Sequence, residues 1–293
     1  MIKTPSIIIV SGGRTGTTYF ADLLGKIMEN CVALHEPGAI KWKTLDRLPW
    51  TMQKFGFFNI TLKKILHRWG ISSISNGRIY GRLTEEQAVG RILEERRQFI
   101  DGLQCAVYAE SSYHYYGIID ILPRAFENLK VVLIVRDGYD WVRSHMNKRD
   151  WYAVGDIHRW MGMRLEPCPA DGAYYDNWRH MSQFEKTCWS WTKINSCALE
   201  GVERISQGRL FRFEDLFISK DKYAHLKELL DFCASFPKKN ISYEWREGVL
   251  EKKINEPAIC DFPAWADLPQ PQKEQFKRIC GPLMLKLGYE ILP

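Results

Sequence analysis

The sequence predicts an α/β fold in which a central parallel sheet is flanked by helices on both faces. Short apolar runs rich in β-branched residues recur at Ser6 to Val10, Cys105 to Ala109, Val131 to Val135 and Arg209 to Phe213. The stretches between them carry helical periodicity, and that alternation is the pattern of strands joined by covering helices. The first run also passes almost directly into a glycine-rich loop, "SGGRTGTT", at Ser11 to Thr18. With 293 residues, 45% of them hydrophobic, the chain is long enough to bury the core such a sheet needs.

In chain order, the loop leads into a predicted helix over Thr17 to Glu29, followed by a short strand in "CVALHEP" that ends at His35, Glu36 and Pro37. Further helices are expected over Thr84 to Phe99, Tyr113 to Phe126, Tyr139 to Lys148, Gln183 to Glu203, Tyr223 to Ala234 and Gln270 to Leu287. Gly288 supplies a left-handed cap to the last of these. Residues 41–80 and 149–181 mix Trp, Tyr, Lys, Arg, Pro and Gly without clear periodicity, and read as irregular insertions over a binding face of one domain spanning 1–293.

A net charge of +6 spread over 41 basic and 35 acidic residues, with no long basic block, does not indicate a nucleic-acid partner. The eight cysteines form no CxxC pair, and neither they nor His114, His145, His158 and His180 have metal-ligand spacing. No metal site is expected, and the cysteines read as reduced thiols. The apolar stretch near the N-terminus is too short for a signal anchor, so a cytoplasmic protein with at most peripheral membrane contact is expected. Trp189 and Trp191, on the long helix, read as core.

A strand, then Gly12, Gly13, Arg14, Thr15, Gly16, Thr17 and Thr18, then a helix presents backbone N–H groups and a helix N-terminus to an anion. An ATP-binding loop would have four residues between its glycines and a lysine after the second. Here three residues separate Gly12 from Gly16, Thr17 stands at the lysine position, and Arg14 offers a planar fork inside the loop. A second stretch, "VVLIVRDGYDWVRSHM", places Arg136 at the end of a strand and Ser144 eight residues on, in the following helix. These two could bind a second phosphate.

Taken together, the two stretches resemble the sulfotransferases that use 3′-phosphoadenosine 5′-phosphosulfate (PAPS), whose fold is related to that of P-loop NTPases. The resemblance implies that the loop, Gly12 to Thr18, grips the 5′-phosphosulfate, and that Arg136 and Ser144 hold the 3′-phosphate. The loop arginine is more like the carbohydrate and tyrosylprotein branches than the phenol and steroid branch. Weaker likeness extends to "FRFEDL" (Phe211 to Leu216), "KKIN" (Lys252 to Asn255), which implies a cofactor contact from Lys253, and the terminal "LGY" (Leu287 to Tyr289). Gly138 departs from the commoner proline.

The implied reaction is in-line transfer of a sulfuryl group to an acceptor hydroxyl without a metal, leaving adenosine 3′,5′-bisphosphate. In the carbohydrate and tyrosylprotein branches a Glu about twenty residues after the loop arginine is the general base, and Glu36 matches it. Pro37 would hold Glu36 extended, and His35 is the other candidate base; on a strand only one of the two neighbours can face the site. The expected acceptor is a glycan or glycolipid. Two alternatives stand beside this reading: a P-loop kinase using Asp137 on Mg²⁺, and a non-catalytic nucleotide-binding module.

Overall fold

The computed structural model describes residues 1–38, 48–57, 59–63, 66, 69–148, 151–160, 164–237, 240–245 and 261–291. Strands β1 (Ser6–Ser11), β2 (Cys31–His35), β3 (Val107–Ser111), β4 (Leu129–Val135) and β5 (Gly208–Arg212) form one sheet in the order β2-β3-β1-β4-β5. Every pairing is parallel. The helices are α1 (Thr17–Ile27), α2 (Leu48–Phe55), α3 (Ile71–Ile79), α4 (Glu85–Asp101), α5 (Leu122–Ala125), α6 (Gly138–Lys148), α7 (Ile157–Trp160), α8 (Ala173–Asn177), α9 (Gln183–Glu203), α10 (Phe213–Phe217), α11 (Lys222–Ala234) and α12 (Gln270–Lys286).

Both faces of the sheet are covered, which is why its strands read as unbroken apolar runs. Ile7 and Ile9 of β1 and Val132 and Ile134 of β4 pack with α1 and α11. Their neighbours Ile8, Val10, Val131 and Leu133 point the other way, into the larger core built with α3, α4, α6, α9 and α12. Trp189 and Trp191 of α9 lie in this core, as expected. Helices α4 and α9 begin at capping boxes, Thr84 with Gln87 and Ser182 with Glu185, which satisfy otherwise unpaired N–H groups of their first turns.

Two expectations fail. The helix predicted over Tyr113 to Phe126 is instead two 3-10 turns, Tyr113–Tyr115 and Ile119–Ile121, followed by the single turn of α5. Pro123 near the start of α5 cannot continue a longer helix. Gly117 lies so close to α3 that a Cβ there would sit 2.8 Å from the Ser75 carbonyl oxygen. The described part of 41–80 is also largely helical, not irregular. Trp50 and Phe55 of α2 pack edge-on and tilted against Phe99 of α4, and this aromatic cluster supplies order that local periodicity does not announce. In 149–181, α7, α8 and the turn at Pro169–Asp171 are likewise short ordered pieces.

Seven cysteines, all except Cys260, are free thiols in the structure, and burial pushes Cys31 and Cys233 up to about 12. Cys260 lies outside the described residues, as do Lys252 and Lys253. Among the described residues no helix is long and apolar enough to cross a membrane, and no His, Cys, Asp and Glu cluster has the geometry to hold a metal.

Candidate active site

Strand β1 runs between β3 and β4, and its C-terminal end opens where the strand order reverses. The loop that follows turns through positive φ at Gly13 (82°), Arg14 (54°) and Gly16 (79°). Glycine adopts this conformation freely, whereas at Arg14 it costs on the order of 1 kcal/mol and must be held from outside. Arg136 Nη1 donates to the Arg14 carbonyl at 3.2 Å, and Arg14 Nε donates to Ser144 Oγ at 3.0 Å. Trp141 Nε1 donates to the carbonyls of Gly12 and Gly13, at 3.1 and 2.8 Å. With its carbonyls tied back in this way, the loop delivers α1 with no side-chain cap on its first turn. Thr17 faces the cavity described below, Thr18 is exposed, and the Thr15 hydroxyl is buried without a hydrogen-bond partner among the described residues.

Arg136 is positioned by a chain of contacts reaching two of the three weaker sequence motifs. Trp191 Nε1 donates to its carbonyl at 3.2 Å, and its guanidinium lies 4.9 Å from the centre of the Phe213 ring. The next amide, Asp137 N–H, donates to Glu214 Oε1 at 2.9 Å, while Tyr289 Oη donates to Glu214 Oε2 at 2.7 Å. "FRFEDL" and "LGY" therefore meet at the end of β4. Arg212 pairs with Asp215 at 3.0 Å. Gly138 fits because any side chain there would meet Met284, Phe276 and Trp191. The Asp137 carboxylate accepts the Asp140 N–H at 2.9 Å, capping α6; burial, aided by Asp140 and Glu214, pushes its pKa up to about 6.

Strand β2 delivers His35 and Glu36, but not in the manner expected. Glu36 has φ of +47°, so Pro37 does not hold it extended. Its N–H donates to the Ser111 carbonyl at 3.2 Å, and His35 Nδ1 donates to the same oxygen at 3.0 Å. The left-handed turn at the strand end breaks the alternation of side chains, and both residues face one cavity. His35 Nε2 and Glu36 Oε2 are 3.9 Å apart. Because Nδ1 carries the donated proton, neutral His35 has its lone pair on Nε2.

The cavity has a volume of about 290 Å³ and is bounded on the sheet side by Gly13, Arg14, Thr17, His35 and Glu36. Trp69, Ile71 and Ser72 from the first predicted insertion and Trp151, His158 and Arg164 from the second line its other walls. His114 and His145, unremarkable in sequence, also face it. Sequence reasoning missed Arg96 altogether. Its guanidinium grips Glu110 at 2.9 and 3.0 Å, and Glu110 also accepts from Tyr108 Oη at 2.7 Å. A buried arginine in α4 announces itself by no local pattern; only the sheet brings its partner under it.

Below the cavity rim, Glu95 Oε1 accepts the N–H of Gly70 at 2.8 Å, tying down the start of α3. Burial pushes the Glu95 carboxyl up from its ordinary 4.5 to about 7, against the opposing pull of Arg96. The folded chain thus keeps a proton that the unfolded chain has released between about pH 4.5 and 7. This contribution is fully present below that window and is lost as pH rises through it, at no more than about 1.4 kcal/mol per pH unit for one proton. Urea unfolding midpoints of the wild type are expected to fall between pH 5 and pH 8 relative to those of Glu95→Gln; parallel profiles would show that Glu95 does not titrate there.

No protein-family model matches the chain, and no curated protein sequence does. Among solved structures it is similar to the "Sulfotransferase Domain from the Curacin Biosynthetic Pathway", at 17% identity and a TM-score of 0.46 over 100% of both chains. It is similar also to the "Sulfotransferase Domain from the Synechococcus PCC 7002 Olefin Synthase", at 14% identity and a TM-score of 0.43 over 99% of this chain and 97% of that one. A third structure, a sulfotransferase from Alicyclobacillus acidocaldarius, has 13% identity and a TM-score of 0.43 over 98% of this chain and 96% of that one. What the site does must be read from its own residues.

Proposed function

We propose that the chain is a sulfotransferase that moves a sulfuryl group from PAPS to an acceptor hydroxyl, with Glu36 as general base. One observation carries this reading: two segments more than a hundred residues apart join at the end of β1, where Arg136 holds the Arg14 carbonyl and Arg14 reaches Ser144. That junction gathers two arginines, a helix N-terminus and hydroxyl donors at neighbouring strand ends, which suits a nucleotide anionic at two places. The buried Thr15 hydroxyl and Arg136 Nε, both without partners among the described residues, are further donors suited to an anion.

In this reading the loop amides of Gly13 to Thr18, Arg14 and Thr17 hold the 5′-phosphosulfate, and Arg136 and Ser144 hold the 3′-phosphate. Lys253, a further proposed contact, falls outside the described residues. When bound, PAPS supplies an activated sulfuryl group, with adenosine 3′,5′-bisphosphate as its leaving group. The loop donors are fixed before reaction, so they stabilise negative charge without having to reorient. Glu36 takes the acceptor proton on its carboxylate, and His35 Nε2 stands as the other base in reach. Of the four described non-glycine residues with positive φ, Arg14 and Glu36 both line this cavity, and strain of that kind gathers at sites that need fixed geometry. Trp69 and Trp151, both largely buried, give the cavity apolar walls that suit a glycan or glycolipid acceptor.

A P-loop kinase is the weaker reading, because the Asp137 carboxylate is engaged in capping α6. Calorimetric titration separates the two. Adenosine 3′,5′-bisphosphate is expected to bind the wild type far more tightly than ATP with Mg²⁺, and Arg136→Ala to weaken it at least tenfold, about 1.4 kcal/mol. ATP binding as well or better, with no effect of Arg136→Ala, would overturn the proposal.

A further inference from the structure

Beside the cavity that holds Glu36 lies a second one of about 630 Å³, and Trp69, Ser72 and Arg164 belong to the walls of both. Its charged lining is almost entirely arginine: Arg82, Arg91, Arg159 and Arg164, against Glu166 as the one carboxylate among the described lining residues. Two of these arginines are already matched. Arg159 Nε donates to Glu166 Oε1 at 2.7 Å, and Arg164 Nε donates to the buried Asp156 Oδ2 at 2.9 Å. Arg82 and Arg91 are joined to no carboxylate among the described residues; Arg82 lies over the Tyr80 ring at 4.9 Å.

Two uncompensated guanidinium groups lining one concave space focus a positive potential there. Their planar forks match the oxygens of a sulfate, phosphate or carboxylate far better than they match a neutral hydroxyl. Tyr80 and Tyr175 in the same lining add ring faces on which a sugar can lie. The geometry points to an acceptor that already carries an oxyanion: its reacting hydroxyl sits beside Glu36 while its charged substituent crosses the wall at Trp69 and Ser72 to lie between Arg82 and Arg91. This rests on the first cavity being the one in which transfer occurs.

The test is a calorimetric titration of lactose and of its 3′-sulfated, 3′-phosphorylated and 3′-sialylated forms, with and without saturating adenosine 3′,5′-bisphosphate. At least one charged form is expected to bind the wild type about tenfold more tightly than lactose, the size expected of two partly exposed charge contacts; which form does so identifies the anion. In Arg82→Gln/Arg91→Gln that advantage is expected to fall below about twofold, at an unchanged thermal midpoint and with adenosine 3′,5′-bisphosphate binding intact. Equal binding of all four compounds to the wild type, or a preference that survives the double substitution, overturns the subsite. Failure of adenosine 3′,5′-bisphosphate to bind the wild type overturns the sulfotransferase reading instead, since the charge preference is also read without nucleotide.

Discussion

Glu36→Gln is expected to lower kcat by about a hundredfold or more, the usual contribution of a positioned general base, while leaving adenosine 3′,5′-bisphosphate binding within about twofold. Glutamine keeps the size of the side chain and can follow the same left-handed backbone, whose N–H is tied to Ser111. What it removes is the capacity to take a proton. The acidic limb of the pH profile of kcat/KM should disappear with it. If kcat instead stays within a few-fold and His35→Asn abolishes turnover, the base is the imidazole, whose Nε2 is left with the lone pair by the bond from Nδ1 to Ser111. Loss of nucleotide binding together with turnover would show that Glu36 shapes the site without acting as its base.

Arg96→Met is expected to destabilise the fold by about 3–5 kcal/mol, because it leaves the Glu110 carboxylate buried without its partner. Both residues are almost wholly inaccessible, so water cannot take over the lost bonds. Urea unfolding at pH 7 reads the loss directly. The double variant Arg96→Met/Glu110→Leu should recover much of it, since an apolar pair replaces an orphaned charge. A loss below about 1 kcal/mol in the single variant would mean that the bond Glu110 already accepts from Tyr108 Oη is enough to hold its carboxylate without Arg96.

How much was legible in advance differs between the fold and the site. The strands and most of the long helices were readable because their signals are local: β-branched runs buried on both faces, helical periodicity between them, and a glycine cap at Gly288. The stretch from Tyr113 was misread because its apolar residues have helical spacing, while the close approach of Gly117 to Ser75 is a tertiary fact. The glycine loop, Arg136 and Ser144 could be singled out from the sequence, but not the bond from Arg14 to Ser144 that joins them. His114, His145 and His158 carried no usable spacing, because they come from different segments that converge only at the cavity.

By itself the sequence determined the alternation of strands and helices, the position of the glycine-rich loop at the end of the first strand, and the spacing of an arginine from a serine eight residues on. Periodicity and glycine placement act within a few residues, and one chain states them openly. Only the tertiary structure decided that His35 and Glu36 share one cavity, that Arg96 is spent on Glu110, and that Arg82 and Arg91 face a common cleft. Each of these depends on which segments the parallel sheet brings side by side. In the case of Glu36 it depends on one left-handed residue, which overrides the strand alternation and the extended conformation that Pro37 favours.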